Sequence, residues 1–422
     1  MLSFTRFSSR LAQNALSFGL VLLIVDETGK AFFSSMLVLA LVIPSTVAGI
    51  VAGTAADVLP KRLLVFFGDT ARGLACLYFV WMGPSVATYY GIAVALSVFG
   101  QFATNAEGAI QPAIVPRDDA ARANALSHAI GGVAQLLGFG VLAPVMLRVF
   151  HSPEALFIAA AALFFVAAGQ AVAIGRIARS PRTEVGGSPL AGPWWKAGWM
   201  QMRSDPAVMH AATELTLIST ALIILGGLIP KFIEDVLHLP VDIGGLVLLP
   251  AAIGVAVGLR VAGFLAHRVP HSLLSSAGFI GFVVLLAVLT FVNQVADFLG
   301  GYGLFAWLND IHIGRFEGGG ALAMIVVLPL GFAFALVSVA AQTVLNDNVP
   351  LHLQGRVQAT QGSLAALASS LPVLAAGALS DIAGVTTVMA ILCAGIGFAA
   401  IMIARGSRTP RSELAPAARP SH

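Results

Sequence analysis

Charged residues are scarce in this chain, and several fall inside apolar runs that should exclude them. Glu214 stands in Ala211-Ala-Thr213-Glu214-Leu-Thr216, about two turns into such a run, with no basic neighbour on its own helix face. An acid within a membrane-spanning helix is costly unless it is paired or used, so it is a functional candidate by default. It could load and release a proton or meet a substrate; the alternatives are a shallow, solvated glutamate or a partner for Arg260 in the next run. Asp69 and Arg72 stand three apart on one helix face and can pair directly, which favours a structural lock over substrate contact. Arg10, Gln13 and Asn14 share a face at i, i+3 and i+4. They could bind an anionic or hydrogen-bonding solute, or Arg10 could reach back to lipid headgroups. Asn105 and Glu107, close together in the fourth run, are open as gate, loop-facing or ligand groups. His128, Gln135 and Gln342 are weaker cavity candidates.

No HExxH, GxSxG or GxxxxGK[ST] pattern is present, so neither an embedded hydrolase nor direct use of ATP is supported. Cys76 and Cys393, the two cysteines, lie in apolar runs without metal-ligand spacing. No cofactor or metal is expected, and a net charge of +3 does not indicate a nucleic-acid partner.

The elements that must hold these residues are set by composition. The 422 residues are 58% hydrophobic and 10% charged, with a mean hydropathy of +0.91. Soluble domains carry about 25% charged residues, so this surface is built for lipid. A spanning helix needs about 20 apolar residues. Spans are expected at 4–26, 33–55, 63–83, 87–110, 122–147 and 155–178, then at 207–231, 242–266, 272–293, 321–345, 356–380 and 384–405. Stretches rich in Gly and Pro within them could be broken helices. The first run continues into Asp26-Glu27-Thr28-Gly29 with no small-x-small cleavage site, so a retained helix is expected.

Lys61, Arg62, Arg117, Arg122, Arg176, Arg179, Arg182, Arg268, Arg356 and Arg405 fall on one side of this alternation. Lys30, Arg148, Lys231 and Arg315 fall on the other. The positive-inside rule then puts both termini in the cytoplasm of a multi-pass protein of the cell (inner) membrane. Residues 179–206 read as a cytoplasmic linker ending in an amphipathic, interface-lying segment with Trp194, Trp195 and Trp199. The tail, 406–422, reads as disordered.

The chain repeats itself. Gly53-Thr-Ala-Ala-Asp57-Val-Leu-Pro60-Lys61 resembles Gly263-Phe-Leu-Ala-His267-Arg-Val-Pro270-His271 at a shift of 210 residues. Val115-Pro116 through Arg122 resembles Val349-Pro350 through Arg356 at a shift of 234. The extra 24 residues fit an insertion at about 294–320, an outer loop expected to hold a short amphipathic helix or a lid. Two six-helix bundles in parallel repeat follow, 1–178 and 207–405.

Gly53-x-x-x-Asp57-x-x-x-Lys61-Arg62, followed by Asp69-x-x-Arg72, resembles the loop signature G-x-x-x-D-R-x-G-R-R of major facilitator transporters. Pro60 before the basic pair and the later Arg122-Ala-Asn124-Ala125 look like the bacterial branch with macrolide-efflux and siderophore-exporter proteins. Val58 and Pro60 depart from the signature, and the G-P-x-x-G-G pattern of drug antiporters is missing from helix five. The resemblance implies an all-α membrane protein of twelve transmembrane helices in two pseudo-symmetric six-helix bundles. It also implies a substrate site between the bundles, lined by helix one, and a gating role for Gly53, Asp57, Lys61 and Arg62, the basic pair serving either the gate or only topology. The implied function is secondary active transport, as proton-coupled efflux of a small amphipathic or hydrophobic molecule by a monomer. A siderophore or lipid carrier of the same fold is the alternative; a non-transporting sensor fits poorly with the retained intramembrane charges.

Overall fold

The computed structural model describes residues 2–114, 120–150, 152–173, 194–240, 244–265, 268–300 and 318–406. In lipid every backbone N–H and C=O must be satisfied within the segment, so long apolar runs become helices. The helices are α1 (Leu2–Thr28), α2 (Ala31–Val58), α3 (Lys61–Met82), α4 (Val86–Ile114), α5 (Ala120–Leu137), α6 (Ala143–Val149) and α7 (Pro153–Ala173). They continue as α8 (Trp194–Ser204), α9 (Pro206–Lys231), α10 (Gly244–Leu265), α11 (His271–Thr290), α12 (Val292–Gly300), α13 (Gly318–Asn348), α14 (Leu351–Ala383) and α15 (Val385–Gly406). No strand occurs among the described residues. Among the described residues eleven spans are long and apolar enough to cross a membrane, and Val385–Ile401 is a shorter apolar helix beside them. The face bearing Leu2 and Gly406 is called the terminal face below, and the opposite one the distal face.

The fifth span runs continuously through a π-helical turn, Gly138–Leu142, that joins α5 to α6. Both glycines there meet a neighbour closely. A Cβ on Gly138 would crowd Asn14 of α1, and one on Gly140 would strike Leu249 of α10. π turns of this kind recur at functional sites.

Two sets of helices pack internally. α1 lies against α2, α4, α5 and α7, and α3 against α4 and α7; in the second set α13 lies against α9, α10 and α11, and α14 against α9 and α15. One contact proves equivalent in both. Gly68 of α3 sits on the Phe99 carbonyl and Ala103 of α4; Gly278 of α11 sits on the Ala333 carbonyl and Val337 of α13. The glycines are 210 residues apart and their partners 234 apart, the same two shifts that the sequence repeat gives.

The sets meet through α2 with α9 and α14, and through α10 with α5, α6 and the π turn. Ser34 donates from Oγ to the Gly227 carbonyl (2.5 Å), and Ser35 fills the space that a Cβ on Gly227 or Gly377 would need. Asp381 accepts from the Ala31 (2.7 Å) and Phe32 (3.0 Å) amides, so a carboxylate at the end of α14 caps the start of α2. The contacts of Ser34, Ser35 and Asp381 lie toward the distal face.

Two expectations change in detail. The linker's tryptophan-rich end is the discrete helix α8, which packs on α14 and buries Met202 against Val208 and Ala211; residues 179–193 lie outside the described residues. The insertion begins as α12, where Asn293 Nδ2 donates to the Val236 carbonyl (2.6 Å). Its remainder, 301–317, where a short amphipathic helix or a lid was expected, and the tail, 407–422, lie outside the described residues.

Candidate functional site

α1 supplies one face, Arg6, Ser9 and Gln13, to a polar network inside the first helix set. Arg72 Nη2 donates to Ser9 Oγ (2.8 Å) and to Asp69; Ser9 Oγ in turn donates to Asp69 Oδ1 (3.0 Å). Arg72 Nη1 donates to Gln13 Oε1 (3.2 Å), and the guanidinium lies 4.5 Å over the Phe164 ring. Asp69 and Arg72 are 0% and 2% exposed, so the expected pair forms away from solvent. Burying an ion costs several kcal/mol, which only pairing and further hydrogen bonds offset.

A second arginine lies two turns before Gln13. Arg6 Nη2 donates to the Glu107 carbonyl (2.7 Å), Nη1 to Ser127 Oγ (2.6 Å), and Nε stands 3.6 Å from Glu107 Oε2. Glu107 is 3% exposed, so a loop-facing role is corrected: it is an interior group shared by α1, α4 and α5. Glu107 Oε1 and Asp69 Oδ2 are buried without a hydrogen-bond partner among the described residues. Two acids and two arginines thus share one interior with two acceptor positions to spare.

The other residues of this set separate. Arg10 is exposed beside Gly131 of α5, Gln13 is taken by Arg72, and Asn14 is wedged against Gly138. One continuous ligand face of Arg10, Gln13 and Asn14 is therefore not what the helix presents. Asn105 Nδ2 donates to the Gly49 carbonyl (3.2 Å), tying α4 to α2, and Lys61 Nζ donates to the Ala109 carbonyl (3.1 Å), tying α3 to α4. A Cβ on Gly53 would meet open space, and Arg62 is half-buried. The side chains of Asp57 and His128 lie outside the described residues.

In the second set Glu214 is half-buried and accepts from Ser275 Oγ of α11 (2.7 Å). Arg260 is exposed, and no ion pair joins it to Glu214 among the described residues. Gln135 and Gln342 are exposed. Sequence reasoning did not single out Arg6, Ser9, Ser275 or Asp381. Arg6 and Ser9 were within reach, because they extend the i, i+3, i+7 register that ends at Gln13. Asp381 was not, since the amides it caps lie some 350 residues away.

A bundle with a polar network on its first helix and a seam closed at one face is the geometry of an alternating-access transporter. Residues 2–372 match the sequence model of the Major Facilitator Superfamily. The chain belongs to that superfamily. A mutant form of the nucleoside transporter NupG has a similar structure, with a TM-score of 0.75 at 12% identity, covering 96% of this chain and 98% of that one. A bacterial homologue of the human lysosomal transporter Spinster matches in two crystal structures. Its inward-facing, unoccupied structure has a TM-score of 0.72 at 12% identity, covering 96% of each chain; the inward-facing, occupied one reaches 0.69 at 13%, covering 98% of each. At such identities the likeness is one of fold. No curated protein sequence matches this chain. The superfamily and the fold support a multi-pass secondary transporter of a small molecule that works by alternating access, rather than an enzyme.

Proposed function

We propose that this major facilitator protein is a proton-coupled exporter of a small amphipathic or hydrophobic molecule, with both termini in the cytoplasm of the bacterial inner membrane. The observation that carries coupling is the sealed network of Arg6, Glu107, Asp69 and Arg72 with its two unpartnered carboxylate oxygens. A buried acceptor without a donor is costly and is the natural place to take up a proton. Because α1, α3, α4 and α5 all contribute, a proton there changes the packing of the helices that rock. The coupling role falls to Glu107 and Asp69 ahead of Glu214, which is turned toward α11 and away from that network.

The seam closed at the distal face, with Arg10 exposed, supports a cleft open at the terminal face; the Lys and Arg bias makes that face cytoplasmic. Arg10 lies where it could meet a polar substrate group, and Asp57, Lys61 and Arg62 then belong to the cytoplasmic gate. The test is uptake into inverted vesicles from a panel of amphipathic compounds, with and without an imposed pH gradient. Glu107→Gln should lose at least tenfold of the gradient-driven component and keep downhill exchange. Full gradient-driven uptake by that variant would overturn the assignment.

A further inference from the structure

The second helix set holds a cavity of about 580 Å3 lined by α9, α11, α13 and α15. The helices that meet the first set are α9, α10 and α14, whereas α11 packs on α13 and α15. Glu214, in the cavity wall, is thirteen residues from Gly227, one of the points where α9 touches α2, which places it roughly 140° around the helix from that contact. Ile280, Val284 and Ile401 line the cavity and are 65%, 54% and 54% exposed. The opening therefore faces sideways, away from the first set and into the bilayer.

Its lining is graded along the membrane normal. The polar members His210, Glu214, His271, Ser275 and Ser276 all lie within the first turns of α9 and α11, at the terminal face. One and two turns deeper along α11 come Phe279 and Val283. That is the gradient of one leaflet, headgroup outward and chain inward. Among the described residues Glu214 is the only carboxylate in the wall and no Lys or Arg lines it, while His210 stands one turn before it on α9. Ser275 engages Oε2, and no hydrogen bond to Oε1 occurs among the described residues. His271 is turned toward Asp347, with its Nε2 4.0 Å from Oδ2. A carboxylate inside an apolar chamber calls for a cation that is cheap to dehydrate. The volume falls within the roughly 300–1,000 Å3 of small-molecule pockets.

We propose that this chamber is a lateral binding site for a single-chain amphiphile with an ammonium head, entering from the leaflet at the terminal face and held by Glu214. The chain lies along Phe279 and Val283, and the head rests between Glu214 and Ser275. The site takes no part in the coupling network, so its occupancy is measurable without transport.

The probe is a dodecyltrimethylammonium ion carrying a diazirine on its chain, photolysed with the full-length protein in nanodiscs and mapped by mass spectrometry. Adducts are expected on α11 and α15 around Ile280, Val284 and Ile401. Glu214→Gln should lower their yield at least tenfold, and Ile280→Trp, an exposed position that should not disturb folding, should block the mouth to a similar degree. Glu107→Gln should leave labelling unchanged. Adducts confined to the central cleft, equal labelling of wild type and Glu214→Gln, or equal labelling by a neutral maltoside of the same chain length would each overturn the proposal.

Discussion

The two helix sets repeat one another in backbone and differ in what they bury. Applying the two repeat shifts, Asp69 and Arg72 of α3 correspond to Phe279 and Phe282 of α11, and Glu107 of α4 corresponds to Ala341 of α13. All six are buried. Gly68 and Gly278 hold the same close helix crossing just before these positions. The same scaffold therefore carries a sealed ionic cluster in one set and a phenylalanine-lined core in the other. A bundle of this shape does not need charge to pack; the second set shows that aromatic groups do it. Charge kept in the first set at a cost of several kcal/mol per ion calls for a reason other than stability.

The comparison is most exposed at Arg72. Arg72→Ala leaves Asp69 buried without its cation and should cost about 3–5 kcal/mol, read as a large fall in thermal unfolding temperature, together with loss of transport. The double change Asp69→Leu/Arg72→Leu, which makes the first set resemble the second, should recover most of that stability and no transport. Recovery of transport as well would show that the two sets differ only in packing style.

Next is the mirror position. Phe282→Ala should cost about 3–5 kcal/mol through the cavity it leaves, yet the remaining folded protein should keep its dependence on the pH gradient. Loss of that dependence at equal amounts of folded protein would place coupling in both sets.

The smallest effect is expected at the seam. Asp381→Ala removes a cap that one set gives the other, worth about 1 kcal/mol, and should raise the population open at the distal face by roughly fivefold. Distances measured between spin labels across that face would read it; an unchanged distribution would mean that Ser34, Ser35 and the glycines hold the seam alone.

Some of this was legible in the residues. The spans follow from the length of the apolar runs, and the duplication from two short matches whose shifts the glycine contacts reproduce. The Asp69–Arg72 pair was readable too, because i, i+3 partners are neighbours on any helix. Glu214 stands in its apolar run as read, but no ion pair joins it to Arg260, the partner considered for it, among the described residues; its hydrogen bond is to Ser275. Depth along a helix can be counted, but which helix stands opposite depends on how the set is rotated and packed.

Sequence alone determined that this chain lives in lipid, that it is helical, that it is a repeated six-span unit and that Asp69, Arg72 and Glu214 fall inside its apolar runs. Those properties depend on hydrophobic length and local spacing, which are one-dimensional. Tertiary structure decided that Arg6 and Glu107 meet, that Asn14 is spent on the π turn, that Asp381 caps α2, and that Glu214 meets Ser275. Each joins residues far apart in the chain, and in a medium as apolar as the helices themselves their meeting is chosen by close packing and hydrogen bonding between helices.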